Sequence, residues 1–288
     1  MMKVWLNGNI IDQADAHIAV TDRGLLLGDG FFETMRSHRG GVAWLDRHHE
    51  RLESHAELIG LAPDLLPNIS EIADAVRLLC AEIDGEGAVI RLTVTRGSGP
   101  RGLLPPVECH PTVLMTAAPF SRPAHDNGLV LATSKQVRRN PWSVANRIKS
   151  LNYMDNIAAR REAAACGAEE AIVLSVDGSV AETTIANLFG VRDGAFYTPP
   201  ADSGILPGLA RQFVIDWCNG LGVVLHETSI LPNELSSMES VFVCNALQGI
   251  RFVRSIDDVA IKSDLIKTDI LMQLAGDIEK SLCLGIDV

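Results

Sequence analysis

Lys149 lies in Asn146-Arg-Ile-Lys-Ser-Leu-Asn-Tyr153, and a carboxylate, Glu182, lies in Val180-Ala-Glu-Thr-Thr-Ile-Ala-Asn-Leu-Phe189. A lysine is a nucleophile, able to form an imine with a carbonyl compound, only when desolvation or a neighbouring cation lowers its pKa. Arg147, two residues earlier, is such a cation. The Ala- and Arg-rich run from about Tyr153 to Cys166, stopped by Gly167, predicts a helix that places Lys149 at a strand end or loop on a rigid support. A lysine between strand and helix is, by itself, ordinarily a solvated side chain. The second segment changes this. Ala171–Leu174, the Asp177-Gly178 turn and Ser179–Glu182 read as a hairpin. Thr183, Thr184 and Asn187 then place polar groups inside an apolar strand pattern. Buried polar groups need partners, and a ligand is one kind.

The two segments together resemble the class IV aminotransferase family, the fold-type IV enzymes that use pyridoxal 5′-phosphate. In that family a Lys-x-Leu-Asn segment carries the imine-forming lysine. A Glu-x-x-x-x-Asn-Leu/Val-Phe segment carries the glutamate that faces the pyridine nitrogen. Both stand here in that order, and the likeness runs from residue 3 to residue 260. The resemblance implies an α+β chain: a small N-terminal α/β domain and a larger C-terminal pseudo-barrel domain that binds the cofactor. It also implies Lys149 and Glu182 as catalytic residues, a small-molecule substrate, and a homodimer with its site near the subunit boundary.

The 288 residues suffice for two modest domains, and the polar, Pro- and Gly-containing Ser121–Gly128 is the linker candidate. The expected domains are 1–121 and 129–288, joined by a linker at 122–128. With 47% hydrophobic and 21% charged residues the composition is that of a globular protein without a membrane span or signal-peptide core. Six cysteines without CxxC or metal spacing fit a cytoplasmic location and no metal site. The net charge of −11 argues against nucleic acid as a partner. An anionic substrate would need local arginines to overcome that field.

Along the chain, Val4–Asp12 reads as strand, Asn-Gly turn and strand. Gly28-Asp-Gly-Phe-Phe-Glu-Thr follows, with Gly28 and Gly30 serving turn geometry. Together with Asp22-Arg-Gly it is similar to one active-site wall, above all in aminodeoxychorismate lyases. Phe32 stands where D-amino-acid transaminases usually have a tyrosine that helps hold the substrate carboxylate. Trp44–Gly60 is an amphipathic helix with His48, Arg51 and His55 on one face. A metal is a minor alternative for these histidines. By resemblance, His48-x-x-Arg51 supplies the arginine for the cofactor phosphate, whose oxygens a planar guanidinium meets bidentately. A helix over 70–83 has its N-cap at Ser70. A strand over Ala88–Thr95 leads into Arg96-Gly-Ser-Gly-Pro-Arg-Gly102. This is an ordinary surface loop, or, by resemblance, the lyases' loop over the substrate, with Arg101 facing a carboxylate and Leu103 where D-amino-acid transaminases commonly have histidine.

Arg138-Arg-Asn-Pro is either a basic turn or the lyases' segment, with Arg138 at the substrate. Gly204-Ile-Leu-Pro-Gly-Leu-Ala-Arg211 opens a helix running to Cys218. A glycine turn feeding a helix N-terminus is an anion site, and the resemblance assigns the cofactor phosphate to the backbone N–H groups of Leu209 and Ala210. Glu239–Val253 reads as one strand with a polar break at Asn245. Its Cys244-Asn-Ala is similar to the lyases, and Asn245, Ala246 and Tyr153 join the cofactor set. The last 25 residues or so read as an amphipathic helix.

Three functions follow. The first is a lyase that removes pyruvate from 4-amino-4-deoxychorismate to give 4-aminobenzoate, a step of folate biosynthesis. The second is a transaminase of D- or branched-chain amino acids, using the same Lys149 and Glu182; Tyr153 and Asn156 look more like that group. The third is a non-catalytic scaffold, against which the joint presence of Lys149, Glu182 and Arg51 speaks.

Overall fold

Apolar residues at every second position build the first sheet. Ala88, Ile90, Leu92 and Val94 are buried, and so are Phe31 and Met35 on the neighbouring strand. In the computed structural model, which describes residues 2–85, 87–121, 127–261 and 269–284, six strands pair antiparallel. Their order is Asn9–Asp12, Lys3–Leu6, Thr112–Pro119, Gly87–Thr95, Gly30–His38, Gly41–Val42. Helices Leu45–Leu58 and Ile69–Cys80 give Leu52, Ala56, Ile72 and Val76 to the same core. Truncating the fully buried Leu52 to Ala would cost about 2–5 kcal/mol. The helix expected from Ser70 is capped earlier. The Asn68 side chain accepts from the Glu71 N–H at 3.0 Å, and the Glu71 carboxylate accepts from the Asn68 N–H at 2.9 Å. Ser70, with Ala73 three residues on, has no carboxylate to complete such a box.

The chain divides into two units. The first is Met1–Ser121 with Ile148–Asn152 and Ser281–Val288; the second is Arg122–Arg147 and Tyr153–Lys280. Of the linker expected over 122–128, residues 122–126 lie outside the described residues.

The second unit is built on a mixed sheet in the order Leu225–Glu227, Ala195–Thr198, Asn187–Arg192, Ser240–Asn245, Gly249–Ile256, Leu129–Arg139, Glu170–Ser175, Val180–Thr183, with Val259–Ala260 paired to Gly249–Ile256. Glu170–Ser175 and Val180–Thr183 are buried at every residue, as strands covered on both faces are. They pair antiparallel, Val173 opposite Glu182. The helix after the lysine segment runs Met154–Ala165 and buries Ala159 and Ala163. The single strand expected over Glu239–Val253 is two strands. Asn245 Oδ1 accepts from the N–H groups of Leu247 (3.0 Å) and Gln248 (2.8 Å), an Asx turn that reverses the chain. Among the described residues no helix is long and apolar enough to cross a membrane.

Candidate active site

In the first unit, the lysine segment is tied to the strand Gly30–His38 by an isolated β-bridge, Phe31 opposite Ser150. The Phe32 N–H donates to Lys149 O at 2.9 Å and the Leu151 N–H to Gly30 O at 3.0 Å. The two glycines of Gly28-Asp-Gly make room for it. A Cβ on Gly30 would collide with Val94 O. Gly28 is left-handed at φ +66, and its carbonyl accepts from Asn152 Nδ2 at 3.1 Å. Asp29 between them takes Arg23 Nε at 2.8 Å and Arg96 Nε at 2.9 Å. Arg96, whose other guanidinium nitrogens bond Ile59 O and Gly60 O, is therefore a structural clasp. Arg101, the second arginine of that loop, is exposed, as is Leu103.

Lys149 is half-buried, and its Nζ lies 4.6 Å from the centroid of the Phe32 ring. Arg91, on the adjacent strand, stacks on the same ring at 3.6 Å. One residue on, Glu33 is buried and takes Arg51 bidentately, Nε to Oε1 at 2.8 Å and Nη2 to Oε2 at 2.6 Å; His48 Nδ1 meets Oε2 at 2.7 Å. Burial alone would raise the Glu33 carboxyl. The Arg51 charge and the His48 hydrogen bond outweigh it and hold the group far below the usual carboxylate range. Burial lowers His48 despite its bond to Glu33. It lowers His55 to about 4, against the pull of Glu33 and with the help of the Arg51 and Lys149 charges. Two cations thus meet over the Phe32 ring, next in sequence to the buried Glu33–Arg51–His48 cluster.

In the second unit, Glu182 is buried at the end of its strand. Oε1 lies 2.9 Å from Arg139 Nε, while Oε2 accepts from the Leu206 N–H at 3.2 Å and from Asn187 Nδ2 at 3.4 Å. Asn187 also donates to Leu206 O at 2.9 Å. A Cβ on Gly208 would push Asn187 Oδ1 aside where the chain enters the helix Leu209–Leu221. Gly208 offers that helix no capping side chain, and Leu209 and Ala210 form its first turn. Asn245 Nδ2 reaches Ile185 O at 3.4 Å, which ties Asn245 and the half-buried Ala246 to the loop after Glu182. Tyr153 is half-buried at the start of its helix. Arg138 is exposed, with Nη1 on the carbonyls of Ser134 (2.9 Å) and Val137 (2.7 Å). Arg147 is exposed too.

Each unit carries some of what a phosphorylated aromatic carbonyl compound needs: a half-buried amine in the first, and in the second a buried carboxylate paired with an arginine and a helix N-terminus without a side-chain cap. The model of the amino-transferase class IV family matches residues 30–256. The chain belongs to that family. Relatives in it differ in activity. Aminodeoxychorismate lyase of Bacillus subtilis is 32% identical over 260 residues, 89% of this chain and 87% of its own. D-alanine aminotransferase of Staphylococcus haemolyticus is 31% identical over 280 residues, 96% and 90%. Among solved structures, the branched-chain aminotransferase of the thermophilic archaeon Thermoproteus uzoniensis, with norvaline, superposes with a TM-score of 0.87 at 30% identity, over 98% of this chain and 95% of that one.

The motifs assign no role to Glu33, Arg91 or Arg139. Glu33 lies within Gly28-Asp-Gly-Phe-Phe-Glu-Thr, yet nothing local says that it pairs with Arg51, 18 residues away. Arg139 lies beyond a register break in its strand, so the alternation of buried residues from Leu129 does not carry through to it.

Proposed function

We propose that this chain is a 4-amino-4-deoxychorismate lyase that uses pyridoxal 5′-phosphate, releasing pyruvate and leaving 4-aminobenzoate. The observation that carries the lyase reading is the pair of apolar residues at the two carboxylate-holding places of a D-amino-acid transaminase: Phe32, buried under the cations of Arg91 and Lys149, and the exposed Leu103. Neither presents a hydroxyl or imidazole to an amino acid's carboxylate. The substrate instead carries two carboxylates, one on its six-membered ring and one on the enolpyruvyl group, matched to arginines: Arg101 on its loop and, in the sequence-based assignment, Arg138.

When bound, the cofactor supplies an electron sink for charge developing on the substrate carbon next to its amine. By the resemblance, Arg51, oriented by Glu33, and the N–H groups of Leu209 and Ala210 would hold its phosphate, and Tyr153, Asn245 and Ala246 would be further cofactor-binding residues. Glu182 holds the proton on the ring nitrogen. Lys149 would anchor the cofactor, and the freed Nζ would take the proton from the ring carbon bearing the substrate's amine and deliver it to the enolpyruvyl oxygen as the carbon–oxygen bond breaks. Aromatisation drives the loss.

An aminotransferase is the second reading, favoured by Tyr153 and Asn156 after Lys-x-Leu-Asn. One assay separates the two. Given aminodeoxychorismate and no keto acid, the lyase releases pyruvate over many turnovers. Failure to release pyruvate, with rapid conversion of the bound cofactor to its amine form by D-alanine or L-leucine, rejects the lyase and establishes the aminotransferase.

A further inference from the structure

We propose that Arg139 is the positioning residue for Glu182, and that a buried chain of side chains running to the surface holds it in place. This rests on the reading that Glu182 faces the cofactor's ring nitrogen. The chain starts at the Glu182–Arg139 ion pair, 2.9 Å. Arg139 Nη1 donates to Asn156 Oδ1 at 3.1 Å, and Asn156 Nδ2 donates to Thr184 O at 2.5 Å. The Thr184 hydroxyl donates to Glu170 Oε1 at 2.5 Å, and Glu170 Oε2 pairs with Arg160 Nη1 at 2.5 Å. From Glu182 to Glu170 every member is at most 8% exposed; Arg160 brings the chain out to solvent with a side chain 46% exposed.

The geometry is directional. An amide has one accepting and one donating end, so Asn156 can serve Arg139 and the Thr184 carbonyl only in this orientation. Flipping it would set NH2 against guanidinium. Two buried carboxylates, Glu182 and Glu170, are each matched by one arginine, so neither charge is left uncompensated. The backbone is shaped for the same end. Pairing between Leu129–Arg139 and Glu170–Ser175 breaks after Thr133 and resumes at Arg138, opposite Leu174. Glu162 closes that bulge by accepting from Ser134 Oγ at 2.7 Å and from the Lys135 N–H at 2.9 Å. A bulge re-aims the side chains beyond it, and here Arg139 is buried while Arg138 is turned out to solvent. The bonds to the other Glu182 oxygen from the Leu206 N–H and Asn187 Nδ2, at 3.2 and 3.4 Å, are longer than the 2.9 Å separation between Arg139 Nε and Oε1.

The test reads the pH midpoint of the bound cofactor's visible absorption, which responds to how Glu182 meets the ring, together with cofactor affinity measured by fluorescence quenching. Glu182→Gln sets the reference shift. Arg139→Gln should move the midpoint in the same direction by roughly one pH unit, the effect of losing a charge a few ångströms away. Asn156→Ala should move it by less, and Arg139→Lys should restore most of it. Exposed Arg161→Gln, on the same helix as Arg160, should leave it in place. In the Arg139→Gln/Glu182→Gln double variant the shift should not exceed that of Glu182→Gln alone, since Arg139 acts through Glu182. If Glu182→Gln moves the midpoint while Arg139→Lys and Asn156→Ala leave both midpoint and affinity unchanged, the relay is wrong and the reading of Glu182 stands. Additive shifts in the double variant also overturn it. If Glu182→Gln itself moves nothing, the reading of Glu182 fails and takes the relay with it. Should Arg139→Gln not fold, Arg139→Lys and Asn156→Ala carry the same decision.

Discussion

Arg51 has two partners to serve, and they can be separated. Its guanidinium is committed bidentately to Glu33, and in the proposed function it also meets the cofactor phosphate. Arg51→Ala alone leaves a buried carboxylate without its partner, a loss of about 3–5 kcal/mol. Weakened cofactor binding would then be confounded with a weakened fold. Glu33→Gln in the same chain removes the stranded charge. The double variant should regain most of the lost thermal midpoint, yet still lose cofactor on dialysis, with affinity down roughly tenfold to a hundredfold for the missing charge-assisted bonds. If retention recovers along with stability, Arg51 does not touch the phosphate. At this scale the sequence singles out residues whose chemistry and neighbours are local, as with Lys149 and Glu182. It is silent where the partner comes from elsewhere: Glu33 with Arg51 and His48, Arg139 with Glu182, Arg91 over Phe32. Between Arg138 and Arg139 the choice turned on a bulge, which amino-acid types alone do not reveal.

The helix Leu45–Leu58 carries a pH dependence of its own. His55 is 2% exposed, and its pKa is lowered to about 4 from 6.5. The unfolded chain therefore takes up a proton near pH 6.5 that the folded chain refuses until about pH 4. Stability is complete above the unfolded value and falls as the pH drops through that window, by about 3 kcal/mol. Glu33, also lowered, works in the same direction at more acid pH, since the unfolded carboxylate protonates first. Urea unfolding of the cofactor-free chain between pH 7 and pH 5 should show midpoints declining with acid. His55→Asn should flatten that slope even if it lowers the midpoint at pH 7. An unchanged slope would mean that His55 titrates normally. Periodicity placed this helix correctly, because an apolar stripe at helical spacing is a local signal. It failed at the ends of elements, where side chains decide: the Asn68–Glu71 box moved one helix start, and the Asn245 turn cut one expected strand into two. It had no means of seeing that Ile148–Asn152 belongs with the first unit, because that follows from pairing to Gly30 and Phe32 far earlier in the chain.

At the scale of the whole molecule, a chain of net charge −11 should be well dispersed, yet the first unit exposes a run of large apolar side chains. Leu25 and Leu26 on the short helix Arg23–Leu27 are 67% and 60% exposed, and Leu103, Leu104 and Val107 more than 80%. These two stretches are neighbours in space. Arg23 Nη1 donates to Gly102 O at 2.9 Å and Nη2 to Leu103 O at 2.8 Å, while Thr21 Oγ1 reaches Ser98 Oγ at 3.2 Å. Scattered exposed leucines need no explanation, whereas large exposed apolar patches go with interaction sites. We infer that a second copy of this chain covers this one. The patch includes the loop of Arg101, so pairing would order the residue proposed to meet the substrate's carboxylate. Light scattering behind size exclusion should give twice the 31.1 kDa chain mass at micromolar concentration. Leu26→Asp with Leu104→Asp should shift the protein to the monomer, since two carboxylates would then be buried against a mainly apolar surface. The same variant should raise KM for the lyase substrate more than it lowers the thermal midpoint, because both side chains are solvent-exposed within one subunit. A monomeric wild type at that concentration, or a double variant that still runs as the dimer, would assign the patch to something other than self-association.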